Sequence, residues 1–414
     1  MGREPDTWPQ SKRQEVPTGP EVVSWNITRR CNLSCPHCYL NAGPAAEREL
    51  TSREGLGLVD QMAAIGTRML ILSGGEPLLR DDLFQIAARA SGAGMAVVLG
   101  SNGTLLTLEV ARRLSDAGVT GVGISLDSLT PERHDAFRGV AGAWKAALEG
   151  MDSCRQAGLP VLIQTSLFSW NYGEIDDMVR FAHERGLTGF NLYFLVCSGR
   201  GEALTDIGPD RYEEALETIV KAQAGYPQMM VRARCAPYVT RVAHQLGHPS
   251  SAGFGCMAGI SYGRITPEGD LTPCPYLPLS AGNVTRQALA DVWRESNLLE
   301  DLRSGRLGGR CGLCQYGESC RGCRARAWSA TGDLLQEDPW CRYAGGTAPL
   351  PLGKVVWSSD AEERLKRVPF FLRNGIRAAV TAYARRQGQA IVTPGLMEEV
   401  RAKMRPELPG RPPQ

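Results

Sequence analysis

Cys31, Cys35 and Cys38 stand in the string CNLSCPHC, a CxxxCxxC array. Thiolates at such spacing hold iron–sulfur clusters or zinc. A cubane cluster has four irons, so three close cysteines leave one iron open to a substrate or cofactor. Structural zinc takes a closed set of four ligands. His37 is the one candidate for that fourth place, and its position between two cysteines suits it poorly. A second constellation, LILSGGEP, puts Gly74, Gly75, Glu76 and Pro77 just after an apolar run. Glycines at a strand end expose backbone groups to a ligand, and Glu76 offers a negative charge to an ammonium group. Alone, GGEP would be an ordinary turn.

A third constellation follows later. Cys256 precedes 12 residues, Gly269, four more residues and Cys274, and then come Cys311, Cys314, Cys320, Cys323 and Cys341. Seven cysteines within 86 residues, set among Gly- and Pro-rich loops, describe a small domain held by metal. Iron–sulfur clusters and a pair of zinc sites are both open to it. Cys235, in RARCAPY, is either a further ligand or a buried inert thiol. Cys154 lies in a helical pattern and reads as core. Cys197 follows an apolar run and is a candidate substrate contact.

The elements that must carry these residues alternate. The stretches 21–28, 68–73, 95–101, 120–126, 161–168 and 189–196 are rich in Val, Ile, Leu and aromatics and read as strands. SREGLGLVDQMAAIG and LEVARRLSDAG, between them, are amphipathic at helical spacing and closed by Gly. Six strands alternating with helices predict an α/β fold with a parallel sheet. A full eight-unit barrel takes about 250 residues, so this stretch predicts a partial (β/α)6 TIM-like barrel. The expected organisation is a polar tail (1–20), the partial barrel (21–225), a connector with weak signals (226–254), the cysteine-rich domain (255–343), a linker (344–353) and a small helical unit (354–414). In that last unit Ser359 is expected to cap a helix, Pro369 to break it, and Thr393 and Pro394 to start another.

The chain of 414 residues is 43% apolar and 22% charged, with net charge +2. That is globular usage and gives no strong field toward nucleic acid or a membrane surface. No apolar run approaches the ~20 residues of a membrane helix, and the first 20 residues carry no signal-peptide core. The expectation is a cytoplasmic protein, in which 13 cysteines are metal ligands or redox groups rather than disulfides.

The three-cysteine array and GGEP together resemble the radical S-adenosylmethionine (SAM) superfamily over roughly residues 21–200. The resemblance implies that Cys31, Cys35 and Cys38 hold a 4Fe–4S cluster whose open iron binds the methionine part of SAM. It implies that Gly74, Gly75 and Glu76 meet the SAM amino group. Ser101 and Asn102, with Ser125 and Asp127, match family positions near ribose and carboxylate, and Arg138 is a further candidate for the carboxylate. The later cysteines resemble the SPASM domain of this superfamily, which holds auxiliary clusters. That implies Cys311, Cys314, Cys320 and Cys341 on a distal cluster, and Cys256, Cys274 and Cys323 on a nearer one. Two departures stand out: two residues separate Cys320 from Cys323 where much of the family has three, and the nearer set lacks an evident fourth ligand unless Cys235 supplies it.

Residues 354–414 carry 12 Lys and Arg against six Asp and Glu, a net +6, so the rest of the chain carries −4. Arg373 and Arg377 lie four apart on one helical face, Arg385 and Arg386 extend it, and such a surface suits carboxylates. This unit resembles the C-terminal domain of a light-independent protochlorophyllide reductase subunit. WNITRRCNLSCPHCY, LILSGGEPLLR, SNGT, RCGLCQY and CRARAW resemble the radical SAM enzymes that trim side chains of heme-type tetrapyrroles. The resemblances imply a 5′-deoxyadenosyl radical that abstracts hydrogen from a carboxylated tetrapyrrole. Decarboxylation, loss of an acetate or propionate group, or oxidation would follow, with an electron donor such as ferredoxin or flavodoxin. The alternative is a SPASM-type maturase of a ribosomally made peptide. Against it, the 20 residues before the first strand hold no winged-helix leader-binding module.

Overall fold

The Thr51 hydroxyl accepts a hydrogen bond from the Glu54 amide, and the Glu54 carboxylate accepts one from the Thr51 amide. This capping box starts helix α1 (Ser52–Ala64), whose Leu58, Val59 and Met62 turn inward. In this computed structural model, residues 18–44, 48–196, 198–204, 207–248, 255–343, 356–386, 389 and 391–403 are described.

Seven strands follow one another in parallel: β1 (Val22–Asn26), β2 (Met69–Ser73), β3 (Ala96–Ser101), β4 (Val119–Ser125), β5 (Val161–Leu167), β6 (Gly189–Phe194) and β7 (Met230–Arg234). Helices α1, α2 (Leu83–Gly92), α3 (Leu108–Asp116), α4 (Pro131–Arg138), α5 (Ala143–Gln156), α6 (Ile175–Glu184) and α7 (Pro209–Gly225) make the crossovers. Alternation divides each strand between two environments. Val23, Trp25 and Ile27, or Leu70 and Leu72, pack under the helices. Ser24 and Asn26, or Ile71 and Ser73, take the other face, which lines the concave side of the sheet.

Two features depart from the sequence expectation. The stretch 226–254 holds β7 and helix α8 (Val239–Gln245), so the parallel run has seven strands before the cysteine-rich region begins. That region then adds to the same sheet. Strand β8 (Tyr262–Ile265) pairs in parallel with β1, placing Arg264 opposite Ser24. β9 (Asp270–Thr272) and β10 (Gly282–Asn283) continue outward as antiparallel strands. Leu289, Val292, Trp293, Leu299 and Leu302 share the core of Val23 and Trp25. Sheet and core therefore run across the boundary expected at 255.

The C-terminal unit has its own small core of Ala361, Leu365, Val380, Ala384, Val392, Leu396, Met397 and Val400. Ser358, one residue before the expected cap, accepts from the Ala361 amide and starts helix Ser359–Lys366. Helix Phe370–Arg386 begins right after Pro369, and Thr393 caps Pro394–Lys403. The expected linker, 344–353, lies outside the described residues.

Candidate functional site

The loop after β1 brings Cys31, Cys35 and Cys38 into one small apolar pocket with Leu33 and Ala143. Arg200 fixes this loop, donating to the Cys35 carbonyl at 3.1 and 2.9 Å and to the Ala42 carbonyl at 2.7 Å. Each sulfur accepts a donor: the Leu33 amide reaches Cys31 Sγ at 3.4 Å, the Ala42 amide reaches Cys38 Sγ at 3.4 Å, and Arg138 Nη1 stands 3.6 Å from Cys35 Sγ. Such donors favour thiolates. Without metal, burial pushes the Cys31 thiol up to about 11, against the Leu33 amide and aided by Glu76, Cys35 and Cys38. Three thiolates gathered in an apolar pocket need a cationic centre, so this donor set fits a cluster. His37 is not part of it: its buried ring stacks on Phe137 at 4.5 Å, edge-on to Phe168.

Gly74 and Gly75 do more here than expose backbone to a ligand. A Cβ on Gly74, which has φ of +154°, would lie 2.6 Å from the Thr28 carbonyl oxygen, and one on Gly75 would lie 2.2 Å from that of Arg30. Only glycine lets the two loops approach so closely. The Gly75 and Glu76 amides donate to Thr28 and Arg30 carbonyls at 2.8 and 2.7 Å, which ties GGEP to the cysteine loop. The Glu76 side chain is fully buried and accepts from Ser101 Oγ (2.9 Å), the Asn102 amide (2.8 Å) and the Leu78 amide (3.2 Å). Burial pushes this carboxyl up to about 7 despite those donors. Glu76 and Ser101 thus brace the ends of β2 and β3 against each other. Asn102 donates to Asn32 Oδ1 at 2.8 Å and so also holds the cysteine loop.

Asp127, wholly buried, accepts from Arg138 Nε at 2.7 Å and from the Ser166 amide at 2.9 Å. Burial alone would raise its carboxyl, but Arg138, His37 and His134 outweigh burial and hold it low. Asp127 is therefore the anchor of Arg138. Ser125, partly exposed on the concave face, has no hydrogen-bond partner among the described residues and is the freest hydroxyl of the candidate set.

The later cysteines fall into two groups. Cys311, Cys314, Cys320 and Cys341 line one pocket with Tyr238, Arg241, Asp338 and Tyr343. The Asp338 amide and Arg324 Nη2 approach Cys311 Sγ at 3.5 and 3.7 Å, and the Tyr316 amide approaches Cys314 Sγ at 3.4 Å. Cys256, Cys274 and Cys323 gather elsewhere, and Cys235 joins them. Burial raises the Cys274 thiol well above its usual value, and Cys256, Cys323 and Cys235 add to the rise. Cys235 is held at φ of 60°, with its carbonyl accepting from Tyr212 (3.1 Å) and Arg326 (3.2 Å). A non-glycine residue in that region needs such support. Among the described residues, no group of three or more His, Cys, Asp or Glu side chains is placed to hold a single metal ion. Cys154 is buried core, and Cys197 lies outside the described residues.

Residues 25–182 match the model of the radical SAM superfamily, and residues 256–324 match that of an iron–sulfur cluster-binding domain, SPASM. Residues 357–401 match the proto-chlorophyllide reductase 57 kD subunit. Over 341 residues the chain is 37% identical to the AdoMet-dependent heme synthase of Methanosarcina barkeri, covering 79% of this chain and 97% of that protein. The chain belongs to the radical SAM family. It is also 33% identical to the pre-heme d1 synthase of Dinoroseobacter shibae, over 77% of this chain and 85% of that one. Its fold matches Streptococcus suis SuiB bound to precursor peptide SuiA with a TM-score of 0.66 at 17% identity, over 79% of this chain and 76% of that one. As a radical SAM enzyme it uses SAM and 4Fe–4S clusters, and the three thiol groups are the places on this chain whose chemistry suits them.

Several site residues are not evident from sequence. Tyr39 follows Cys38 directly, accepts from Asn26 Nδ2 at 3.0 Å and meets Tyr276 edge-on at 5.3 Å. It lies within electrostatic reach of both Cys38 and Cys235. Arg200 was missed as well. Its signal is only its place just beyond β6, at the C-terminal edge of the sheet where the cysteine loop also lies.

Proposed function

We propose that this radical SAM enzyme modifies the carboxylate-bearing side chains of a heme-type tetrapyrrole, by decarboxylation, by loss of an acetate or propionate group, or by oxidation. The observation that carries the reading is the match to the heme synthase over 97% of that protein's length, with barrel and cysteine-rich region both included. The pre-heme d1 synthase supports the same substrate class.

Bound together, a 4Fe–4S cluster and SAM supply a 5′-deoxyadenosyl radical, and the protein supplies binding, orientation and exclusion of water. Cys31, Cys35 and Cys38 would hold that cluster, with Arg138 and backbone amides aimed at the sulfurs. Gly74, Gly75 and Glu76 would present backbone carbonyls to the SAM ammonium, since the Glu76 carboxylate is already engaged. Ser101 and Asn102 would act by fixing this edge. Ser125 would meet the ribose, and Asp127 would act through Arg138. Cys311, Cys314, Cys320 and Cys341 would hold one auxiliary cluster, and Cys235, Cys256, Cys274 and Cys323 the other. The electron donor in this reading is a ferredoxin or flavodoxin and the compartment is the cytoplasm. No helix among the described residues is long and apolar enough to cross a membrane.

Peptide maturation is the second reading, favoured by the fold match to a peptide-bound SuiB. The deciding experiment incubates anaerobically reconstituted protein with SAM, dithionite and iron-coproporphyrin III. Formation of 5′-deoxyadenosine together with a product lighter by carbon dioxide and two hydrogens, one hydrogen leaving on 5′-deoxyadenosine and the other as a proton with its electron passed to an acceptor, supports the tetrapyrrole reading. SAM cleavage with the porphyrin unchanged sinks it.

A further inference from the structure

Buried arginines in this chain are commonly matched to acids: Arg80 to Asp82, Arg138 to Asp127, Arg241 to Glu213 and Arg326 to Asp338. Three arginines on the concave face of the sheet lack such a match: Arg264 is buried, Arg232 half-buried and Arg234 exposed. Val231 and Ala233 of β7 join the core beneath α7, so Arg232 and Arg234 take the opposite face. Register places Arg232 across from Asn191 and Arg234 across from Tyr193 of β6. On the other side of the same face, Arg264 of β8 lies opposite Ser24 and is 6% exposed.

None of the three has a carboxylate partner among the described residues. Arg234 Nε donates to Asn191 Oδ1 at 3.2 Å, and Arg264 Nε donates to Asn26 Oδ1 at 2.6 Å with its guanidinium over the Tyr39 ring. The Arg232 guanidinium makes no hydrogen bond among the described residues, and burial and then Arg234 disfavour its charge. The groups they touch are the neutral Asn26, Asn191 and Tyr39, and the Cys235 thiol lies within electrostatic reach of Arg234. Tyr193 lies within reach of Arg234 and Tyr39, which connects the two sides of the face. An amide orients a guanidinium without neutralising it. The buried Arg264 and the half-buried Arg232, left in this way, are costly unless an anion arrives to pair with them, while Arg234 is exposed and adds a guanidinium at the rim. Planar forks on two sides of one concavity suit several carboxylates on a rigid frame.

We propose that Arg232, Arg234 and Arg264 form the carboxylate-binding wall of the substrate site, with Tyr39 and Tyr276 as the aromatic floor between them. The inference rests on the tetrapyrrole reading and deepens it. It assigns recognition of the substrate's acidic side chains to the two edges of the parallel run and not to the basic C-terminal unit. Turning those side chains toward the arginines selects which of them faces the radical.

The test titrates the anaerobic holoenzyme with iron-coproporphyrin III and with its tetramethyl ester, following the Soret band. Wild type is expected to bind the acid and to bind the ester at least tenfold more weakly. Arg232→Gln with Arg234→Gln should weaken binding of the acid by ten- to a hundredfold, and Arg264→Gln should do so separately. Arg234→Lys, which keeps the charge but not the fork, should fall between. Iron content and the thermal unfolding midpoint identify any variant that has not folded, and Arg234→Lys then carries the comparison. Wild-type binding that equals binding by folded variants would overturn the arginine assignment and leave the tetrapyrrole reading intact. Failure of wild type to bind either porphyrin would overturn both.

Discussion

Arg138 Nη1 stands 3.6 Å from the sulfur of Cys35, while its Nε holds Asp127 Oδ2 at 2.7 Å. One guanidinium therefore links the thiol proposed to hold the first cluster to a wholly buried carboxylate. Arg138 sits in the last turn of α4, and the pairing fixes that turn against the end of β4. Removing the arginine leaves Asp127 without its cationic partner, with the Ser166 amide still donating to it. Breaking a buried pair in this way costs about 3–5 kcal/mol. Arg138→Ala should lose stability of that order in anaerobic denaturant titrations and release iron faster from the first cluster. Arg138→Lys should recover part of the stability but not the bidentate contact. If Arg138→Ala melts like wild type, the linkage is not structural.

Glu76 makes stability depend on pH in a defined direction. Burial raises its folded pKa from 4.5 to about 7, so the folded state prefers the protonated acid. The stability this contributes is full below about pH 4.5 and is lost as pH rises through about 7. The span corresponds to on the order of 3 kcal/mol. Apoprotein without SAM should therefore weaken between pH 5 and about pH 8, and Glu76→Gln should flatten that limb. The Ser101 hydroxyl can rotate to accept from the new amide. Parallel pH profiles for wild type and Glu76→Gln would refute the assignment.

Cys235 should behave as a ligand. Three cubane clusters give about twelve irons per chain. Cys235→Ala, reconstituted anaerobically, should contain a partly coordinated auxiliary cluster with an altered EPR signal, or lose about four irons. The signal of the first cluster with SAM should persist, because Cys31, Cys35 and Cys38 lie on a separate loop. An unchanged spectrum and iron count would make Cys235 an inert thiol.

The C-terminal unit should contribute to packing and leave radical formation alone. Arg377 pairs with Glu362, with Nη1 at 2.7 Å from Oε1, and lies over the Trp357 ring at 4.7 Å. Arg373 Nε donates to the Val368 carbonyl at 2.8 Å. Arg373 and Arg377 of the face expected to bind carboxylates are thus engaged inside the unit, and the side chains of Arg385 and Arg386 lie outside the described structure. At 38% side-chain exposure the Arg377–Glu362 pair is worth little, and with the ring contact Arg377→Ala should cost about 1–2 kcal/mol. Deleting 354–414 should leave substrate-independent SAM cleavage close to wild type, since no ligand cysteine lies there. A sharp loss of 5′-deoxyadenosine formation in the truncation would contradict this.

Local chemistry was legible in the chain itself. Ligand spacing is a short-range property, so the CxxxCxxC array and the later cysteines announce metal before any fold is known. Strands β1–β6 announce themselves because helices cover one face and the other lines the inside of the curved sheet, so most positions on both faces are shielded from water and apolar. β7 did not, because Met230–Arg234 alternates two core residues with two arginines, and only α7 lying against Val231 makes that a strand. Distance along the chain hid the rest. Cys235 meets Cys274 only because β7 ends beside the cysteine-rich loops, and Arg264 reaches the concave face only because β8 pairs with β1, some 240 residues away. The use of a charged group also depended on tertiary structure. Glu76 looks like a ligand carboxylate until Ser101 and Asn102 enclose it, and Arg377 looks free until Glu362 folds back onto it. A sequence names the groups a protein owns. Which of them remain unpaired for a ligand is decided by what burial brings against each one.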